Sequence, residues 1–537
     1  MEKVSEKNVK KELGTFALLM TGLGTIIGSG WLFGAWKAAS VAGPAAIIAW
    51  ILGMIATVFI GLTYAELGTM FPQTGGMVRY AQHSHGPFVG FLSGWANWIA
   101  IVSVIPVEAV ASVQYMSSWP WDWAGRLYDG KELSSAGLIL AGALIIVYFL
   151  LNFWTVRLFA TANSAITVFK LVVPLLTVLG LIAAGFHTEN FTSHGGFAPY
   201  GWSGVLTAVA TSGVVFAFNG FQSPVNLAGE AKNPNRSIPI AVVGSILMAG
   251  GVYVLLQIAF IGAVSPEQAA KGWSGIHFNS PFADLAIALN LNWLALLLFA
   301  DAFVSPSGAG ITNTATTARM VYGMKENGHM PKVFGVIHPI YGVPRAALCL
   351  NLAVAFVFLF LFRGWGSLAE VISVATLISY ATGPVAVMVL RQRDTANRPI
   401  RVKGMGAIAP VAFILASLIL YWATWPLTGK VVLIMVLGLP IYLYYQSKEG
   451  WADFIPRLKA GLWLIGYLAF MVLISCLGSE RFGGLNLIPY GADMVLIAAL
   501  ALVFYFWGIK SARPFDSVRE GEGAERADRV VVIGFRQ

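Results

Sequence analysis

Charged residues are scarce in this sequence, and their scarcity decides the class of protein. Lysine, arginine, aspartate and glutamate make up 11% of the 537 residues, while hydrophobic residues make up 57%. Soluble proteins average about 25% charged residues. The mean hydropathy is +0.73. Since no water-soluble core can bury that much apolar surface, the composition predicts an integral membrane protein and excludes a disordered chain.

Cysteines and cofactor motifs are also sparse. The two cysteines, Cys349 and Cys476, both lie in apolar runs, so we expect no structural disulfide. The seven histidines show no metal-ligand spacing. No P-loop, dinucleotide-binding glycine set or nucleophile elbow occurs in a suitable context. We therefore expect no cofactor, no metal site, no enzymatic activity and no ATP-driven pump within this chain.

Long apolar runs are abundant instead. A helix that crosses a bilayer needs roughly 20 mostly apolar residues. We expect 12 to 14 spans, because the divisions within 406–446 and in the last pair are the least distinct. The candidate runs lie near 13–38, 43–70, 87–117, 135–155, 158–185, 203–228, 238–264, 285–323, 344–362, 368–390, 406–426, 428–446, 460–478 and 490–509.

The net charge of +9 invites a nucleic-acid partner, but the positions of the basic residues explain it differently. With the N-terminus placed in the cytoplasm, 26 of the 34 lysines and arginines fall in cytoplasmic segments and 7 fall outside. Cytoplasmic loops of membrane proteins carry such an excess. We therefore expect a multi-pass protein of the inner (cytoplasmic) cell membrane, with both termini cytoplasmic and no nucleic-acid partner. Lys170 is the basic residue left inside a span.

Two spans carry residues that interrupt helices. The first has five glycines in the thirteen residues 22–34. These glycines favour either close helix packing or an unwound stretch whose N–H groups face a carboxylate. The sixth span contains Asn219-Gly220 and Pro224, and proline removes a backbone donor. Interrupted helices five spans apart favour the second interpretation, a transporter site at the membrane midplane.

Four motifs, in order along residues 13–445, resemble those of the amino acid–polyamine–organocation superfamily. The first motif, continued by Trp31-Leu-Phe33, is most similar to bacterial aspartate:proton symporters. The motifs are Gly24-Thr-Ile-Ile-Gly28-Ser-Gly30, Tyr64-Ala-Glu66 to Gly76, Phe218-Asn-Gly220 with Gly229-Glu230 to Pro239, and Ser305-Pro-Ser-Gly308 to Pro331.

The resemblance implies an all-α, LeuT-like fold. Such a fold has a 5+5 inverted repeat with discontinuous helices 1 and 6, and here additional C-terminal helices follow. The corresponding division is a cytoplasmic segment 1–12, a ten-helix transport core 13–390, additional transmembrane helices 391–509 and a cytoplasmic tail 510–537.

The resemblance also implies a substrate site between the two broken helices. Backbone groups of the first break would bind the substrate carboxylate, and carbonyls of the second would bind its amino group. Phe216 aligns with an aromatic gate residue, although core packing is the alternative. The implied residues are Ile27, Gly28, Ser29 and Gly30 in the first break and Phe216, Phe218, Asn219 and Gly220 in the second.

Lys170, Glu108 and Asp301 are ionisable residues deep inside spans, and we expect them to couple transport to protons. An ion there costs at least ~2.5–3.5 kcal/mol, which is why such residues are usually functional. Burial disfavours a charged amine, so Lys170 can release and regain a proton. In proton-driven relatives a lysine at this place replaces a sodium ion between helices 1 and 8. The alternatives are snorkelling of Lys170, and protonation or ion pairing of the two acids.

The expected function is secondary active import of an amino acid coupled to protons. The symporter resemblance suggests aspartate or glutamate. The acidic residues inside spans, with no buried arginine, favour a cationic substrate or a proton route instead. An amino acid or amine exchanger without net proton flux is one alternative. A channel or sensor that retains the fold is the other. The expected partners are an amino acid, protons and the lipid bilayer.

Overall fold

A computed structural model describes residues 13–72, 75–154, 156–339, 341–393, 400–451 and 453–512, without the side chains of 156–165. The expected N-terminal segment 1–12 and all but the first three residues of the expected tail 510–537 lie outside the described residues. The described part is helical throughout, with no β-strand. Two isolated bridges occur, one of which joins Leu13 to Ala231.

In the described part of the chain, every predicted span corresponds to a helix or a series of helices. Apolar sequences of this length form helices in a bilayer because a helix satisfies all its own backbone hydrogen bonds. The first seven spans are α1a (Thr15–Ile26) and α1b (Gly30–Ala42), α2 (Ala46–Met70), α3a (Pro87–Val102) and α3b (Val104–Met116), α4 (Ser135–Trp154), α5 (Val156–Ala184), α6a (Gly201–Thr211), α6b (Val214–Ala217) and α6c (Gln222–Asn226), and α7 (Pro234–Ala263).

The second seven spans also correspond to helices, but one predicted run is wrong in its bounds. The run near 285–323 is not one helix, because a short helix, Pro281–Ala288, precedes the span and Asn290 between them has φ 59°. Asparagine tolerates this left-handed conformation, which ends a helix. The spans are α8 (Asn292–Glu326), α9 (Arg345–Leu361), α10a (Trp365–Tyr380) and α10b (Thr382–Gln392), α11 (Met405–Trp422), α12a (Leu427–Val436) and α12b (Leu439–Lys448), α13 (Phe454–Leu477) and α14 (Ala492–Ser511).

Length and composition alone identify most of these spans. Eleven helical stretches among the described residues are long and apolar enough to cross a membrane. Helix α6 is not among them, because its breaks leave no piece longer than eleven residues. The predicted interruptions of spans 1 and 6 are therefore confirmed as features of the fold.

The burial of the spans locates the centre of the bundle. The most apolar windows of α3 and α10 are buried to 100% and 94%, whereas that of α14 is buried to 28%. Within the bundle, α3b packs along α8, and α1a packs against α7 and α5. The broken helices α1 and α6 therefore meet the interior helices α3, α8 and α10 at the centre, while α14 lies at the periphery.

Candidate functional site

The first break presents a backbone amide to a carboxylate of the protein itself. The amides of Ile27 and Gly28 donate within their own turn, to Leu23 O at 2.8 Å and Ile26 O at 3.0 Å. The Ser29 amide instead donates to Glu108 Oε2 at 2.8 Å. Helix N-termini bind anions because their amides are free and the helix dipole is positive there. The start of α1b therefore offers an amide to an anion, and in this structure the Glu108 carboxylate accepts its hydrogen bond.

The second break touches the first. Gly220 has φ +126°, and a Cβ at this position would lie 2.7 Å from the backbone nitrogen of Ile26. A Cβ at Gly30 would likewise lie 2.7 Å from the Cβ of Ala217. Glycine alone permits this close approach of two backbones. The predicted residues Gly30 and Gly220 thus mark where the two broken helices cross.

Tyr253 on α7 fastens the two breaks together. Its hydroxyl lies 3.0 Å from Ile26 O and 3.2 Å from Ala217 O, so one side chain bonds to both broken helices. The sequence alone does not single out Tyr253 as a site residue. The sequence holds one general indication of such a role, because a buried tyrosine in an apolar run needs a hydrogen-bond partner for its hydroxyl.

A small cavity lies between the breaks. Its volume is about 10 Å³, close to the minimum that holds one water molecule. An amino acid can therefore enter only when the helices move apart, and the structure is a closed conformation. The cavity is lined by Thr25, Ile26, Gly30, Val104, Glu108, Phe216, Asn219 and Asn313.

The second break contributes side chains with different surroundings. Phe216 lines the cavity, and its ring stands edge-on to Trp365, 5.7 Å away. Trp365 in turn donates its indole N–H to Ser29 Oγ at 2.8 Å. Phe218 does not line the cavity, because its ring packs against Trp50 and Tyr253. Phe216 and Trp365 together thus cover one side of the first break.

Asn219 connects the second break to α10. Its side-chain nitrogen donates to Thr376 Oγ1 at 3.1 Å, and its side-chain oxygen accepts from the Tyr380 hydroxyl at 3.2 Å. The amide is therefore fixed on both sides by α10a while Asn219 also borders the cavity.

Lys170 links α5 to both α1 and α8. Its ammonium donates to Gly24 O at 2.8 Å, and a Cβ at Gly308 on α8 would lie 3.2 Å from its Nζ. The residue is 1% exposed. The snorkelling alternative is therefore wrong, because the amine lies inside the bundle and not at the interface.

Two acids share the interior with Lys170. Glu108 is 2% exposed and Asp301 is 0% exposed. Asp301 Oδ1 accepts from Ser305 Oγ at 2.7 Å, while Oδ2 has no hydrogen-bond partner among the described residues. Lys170 interacts electrostatically with both acids. No ion pair joins it to either of them in the described part of the chain.

An ion pair joins the C-terminal half of α2 to the C-terminal end of α10. Arg391 donates from Nε and Nη2 to the two oxygens of Glu66, each at 2.5 Å, and the Val402 amide donates to the same carboxylate at 3.0 Å. The Glu66 side chain is fully buried. Two-point pairing of a buried carboxylate fixes its geometry as well as its charge.

Comparison with known proteins agrees with this architecture. The family model described as amino acid permease matches residues 13–444. The glutamate/serine transporter AimA of Bacillus subtilis (strain 168) is 63% identical over 95% of this chain and 96% of its own length. The aspartate-proton symporter of the same organism is 39% identical over 94% of this chain and 98% of its own. The human cationic amino acid transporter 4 is 29% identical over 72% of this chain and 60% of its own.

The family match over most of the chain agrees with the two broken helices and with the position of Lys170 between α1 and α8. The chain belongs to the amino acid permease family and is an integral membrane transporter of amino acids.

Proposed function

We propose that this protein imports an amino acid together with a proton, by alternating access around the site between α1 and α6. The contact of Lys170 with Gly24 O carries this proposal. An ammonium donates a stronger hydrogen bond than a neutral amine, because one partner is ionised. Loss of the Lys170 proton therefore loosens α1a from α5 and α8. Proton binding then favours the closed arrangement, and proton release allows α1a to move.

The substrate site follows from the polarity of the two breaks. The start of α1b, at Ile27, Gly28, Ser29 and Gly30, receives the α-carboxylate, and the carbonyls near Phe216, Phe218 and Asn219, beside Gly220, receive the α-amino group. The N-terminus of α1b favours an anion, and the carbonyls of an unwound segment favour a cation. Phe216 then acts as a gate that moves when the substrate enters.

L-Serine and L-glutamate are the proposed substrates, with L-aspartate next. The 63% identical relative carries the first pair in its name and the 39% identical relative the third. The cavity side chains of Thr25, Asn219 and Asn313 are neutral hydrogen-bonding groups. Such groups can bind the hydroxyl of serine without a charged partner, whereas an acidic side chain needs Lys170 or water.

Residues 13–390 form the proposed ten-helix transport core, and 391–509 supply the additional helices. The excess of basic residues in alternate loops supports cytoplasmic termini and residence in the inner membrane. In this orientation the Glu66–Arg391 pair lies at the cytoplasmic mouth.

Uptake into proteoliposomes tests the proposal. With acid outside, radiolabelled L-serine or L-glutamate should accumulate above equilibrium, and a protonophore should abolish the accumulation. Uptake that ignores the pH gradient but requires amino acid inside would indicate exchange. Flux that does not saturate with substrate would indicate a channel.

A further inference from the structure

The Glu108 carboxylate accepts a hydrogen bond from the Ser29 amide, which the proposed function assigns to the substrate carboxylate. We propose that the Glu108 carboxylate and the α-carboxylate of the substrate compete for the Ser29 amide, and that Glu108 leaves it as a neutral acid after taking up one proton. The inference rests on the proposed function and adds a second proton-binding event, which occurs when substrate binds.

The geometry allows one carboxylate at this amide. Glu108 Oε2 accepts from Ser29 N at 2.8 Å, and the position of a Cβ on Gly28 lies 2.5 Å from Oε1. The absence of a side chain at residue 28 thus makes room for the glutamate carboxylate. The Ile27 and Gly28 amides already donate within their own turn, and an anion that binds the Ser29 amide must displace Glu108 from it.

The displaced carboxylate has little to neutralise it. The titratable groups that interact with Glu108 from the neighbouring helices are Lys170 on α5, Tyr148 on α4 and Tyr253 on α7, and Asp301 on α8 interacts with the same lysine. Lys170 is the cation of this set, and its ammonium is bonded to Gly24 O. The amino group of the substrate lies at the second break, so at the first break the substrate adds another carboxylate beside Glu108.

Protonation relieves this repulsion. Two carboxylates that share a buried site cannot both stay ionised without a large energetic penalty. The Glu108 carboxylate takes a proton from the acidic side of the membrane, becomes a carboxylic acid and leaves the amide. The Ser29 N–H···O bond passes from Glu108 to the substrate, so one hydrogen bond breaks and one forms. Substrate affinity should then rise up to about tenfold for each unit by which the pH falls.

Calorimetry measures the linked proton directly. The full-length protein in detergent is titrated with L-serine in buffers of different ionisation enthalpy, which gives the number of protons taken up per serine bound. Wild-type protein should take up about one proton from the buffer. Glu108→Gln, which keeps an acceptor for the Ser29 amide but cannot take up a proton, should bind serine with no proton uptake and with pH-independent affinity. Proton uptake by Glu108→Gln equal to that of the wild type would overturn the inference.

Ser112→Ala is the matched control. Ser112 lies one turn along the same helix, and its hydroxyl donates to the backbone carbonyl of Glu108 and not to its carboxylate. This variant should take up as many protons as the wild type. Its loss of proton uptake would contradict the assignment to the carboxylate.

A spectroscopic measurement on the unmodified protein covers the case in which Glu108→Gln does not fold. Infrared difference spectra on addition of L-serine should show a protonated carboxyl band appearing as a carboxylate band disappears. No such band would overturn the inference. Absence of any serine or glutamate binding would contradict the proposed function. Proton-driven uptake without this band would contradict only the competition between Glu108 and the substrate for the Ser29 amide.

Discussion

The Lys170 ammonium lies 2.8 Å from the carbonyl oxygen of Gly24, so that a titratable group on α5 holds the first half of a broken helix. The same ammonium lies against Gly308 on α8. A sodium ion at such a place would bring a fixed charge, whereas an amine brings a charge that depends on a proton. Under the proposed function, the position of α1a depends on the protonation of Lys170 through this one hydrogen bond.

Gly220→Ala should abolish transport without preventing membrane insertion. The new methyl group would lie 2.7 Å from the backbone of α1a, and φ +126° is strained for any side chain. We expect the initial rate of L-serine uptake to fall more than tenfold at equal protein in the membrane. Gly251→Ala is the control, because a Cβ there meets nothing within 4 Å among the described residues. Equal uptake by both variants would contradict the proposed crossing of α1 and α6.

Tyr253→Phe should weaken the junction between the two breaks. The hydroxyl bonds to Ile26 O and Ala217 O, and loss of such a buried group costs about 1–3 kcal/mol. We expect a lower midpoint of thermal unfolding in detergent and weaker serine binding. Tyr505→Phe on α14 is the matched control, since its hydroxyl has no hydrogen-bond partner in the described structure. If the two variants unfold at the same temperature, Tyr253 does not fasten the site.

Arg391→Gln should weaken the contact between the ends of α2 and α10. It leaves the buried Glu66 carboxylate without its cation, and breaking a buried pair costs about 3–5 kcal/mol. We expect at least a tenfold loss of uptake, and the double variant Glu66→Gln/Arg391→Gln should lose less than the two single effects combined. Glu449→Gln removes one partner of the exposed Arg457–Glu449 pair and should leave uptake nearly unchanged. Additive losses in the double variant would show that Glu66 and Arg391 act separately.

The local chemistry of single residues made the breaks predictable. Glycines around Gly28 and the Asn219-Gly220 pair weaken a helix wherever they stand, and a lysine inside an apolar run is conspicuous without any structure. These features depend on the chain near each residue, so the sequence predicted the two interruptions and Lys170. The division of the run near 285–323 was missed because Asn290 stops a helix only when its backbone turns left-handed.

The contacts between distant spans were not predictable in the same way. Tyr253 reaches both breaks, and Trp365 donates to Ser29 across 336 positions of sequence. Such pairs depend on how helices pack, which no single run of residues encodes. The partner of Glu108 was not predictable for the same reason. Its charge inside a span marked it as a candidate, but its bond to the Ser29 amide is visible only in the folded chain.

Proton-driven uptake by Lys170→Ala measures most directly whether transport is coupled to protons through Lys170. Proteoliposomes with acid outside should accumulate L-serine when they contain wild-type protein. They should do the same with Thr177→Val, a control on α5 that removes a hydroxyl bonded within its own helix. Lys170→Ala should bind serine but show no accumulation in response to the pH gradient. Accumulation by Lys170→Ala equal to that of the wild type would contradict proton coupling through Lys170.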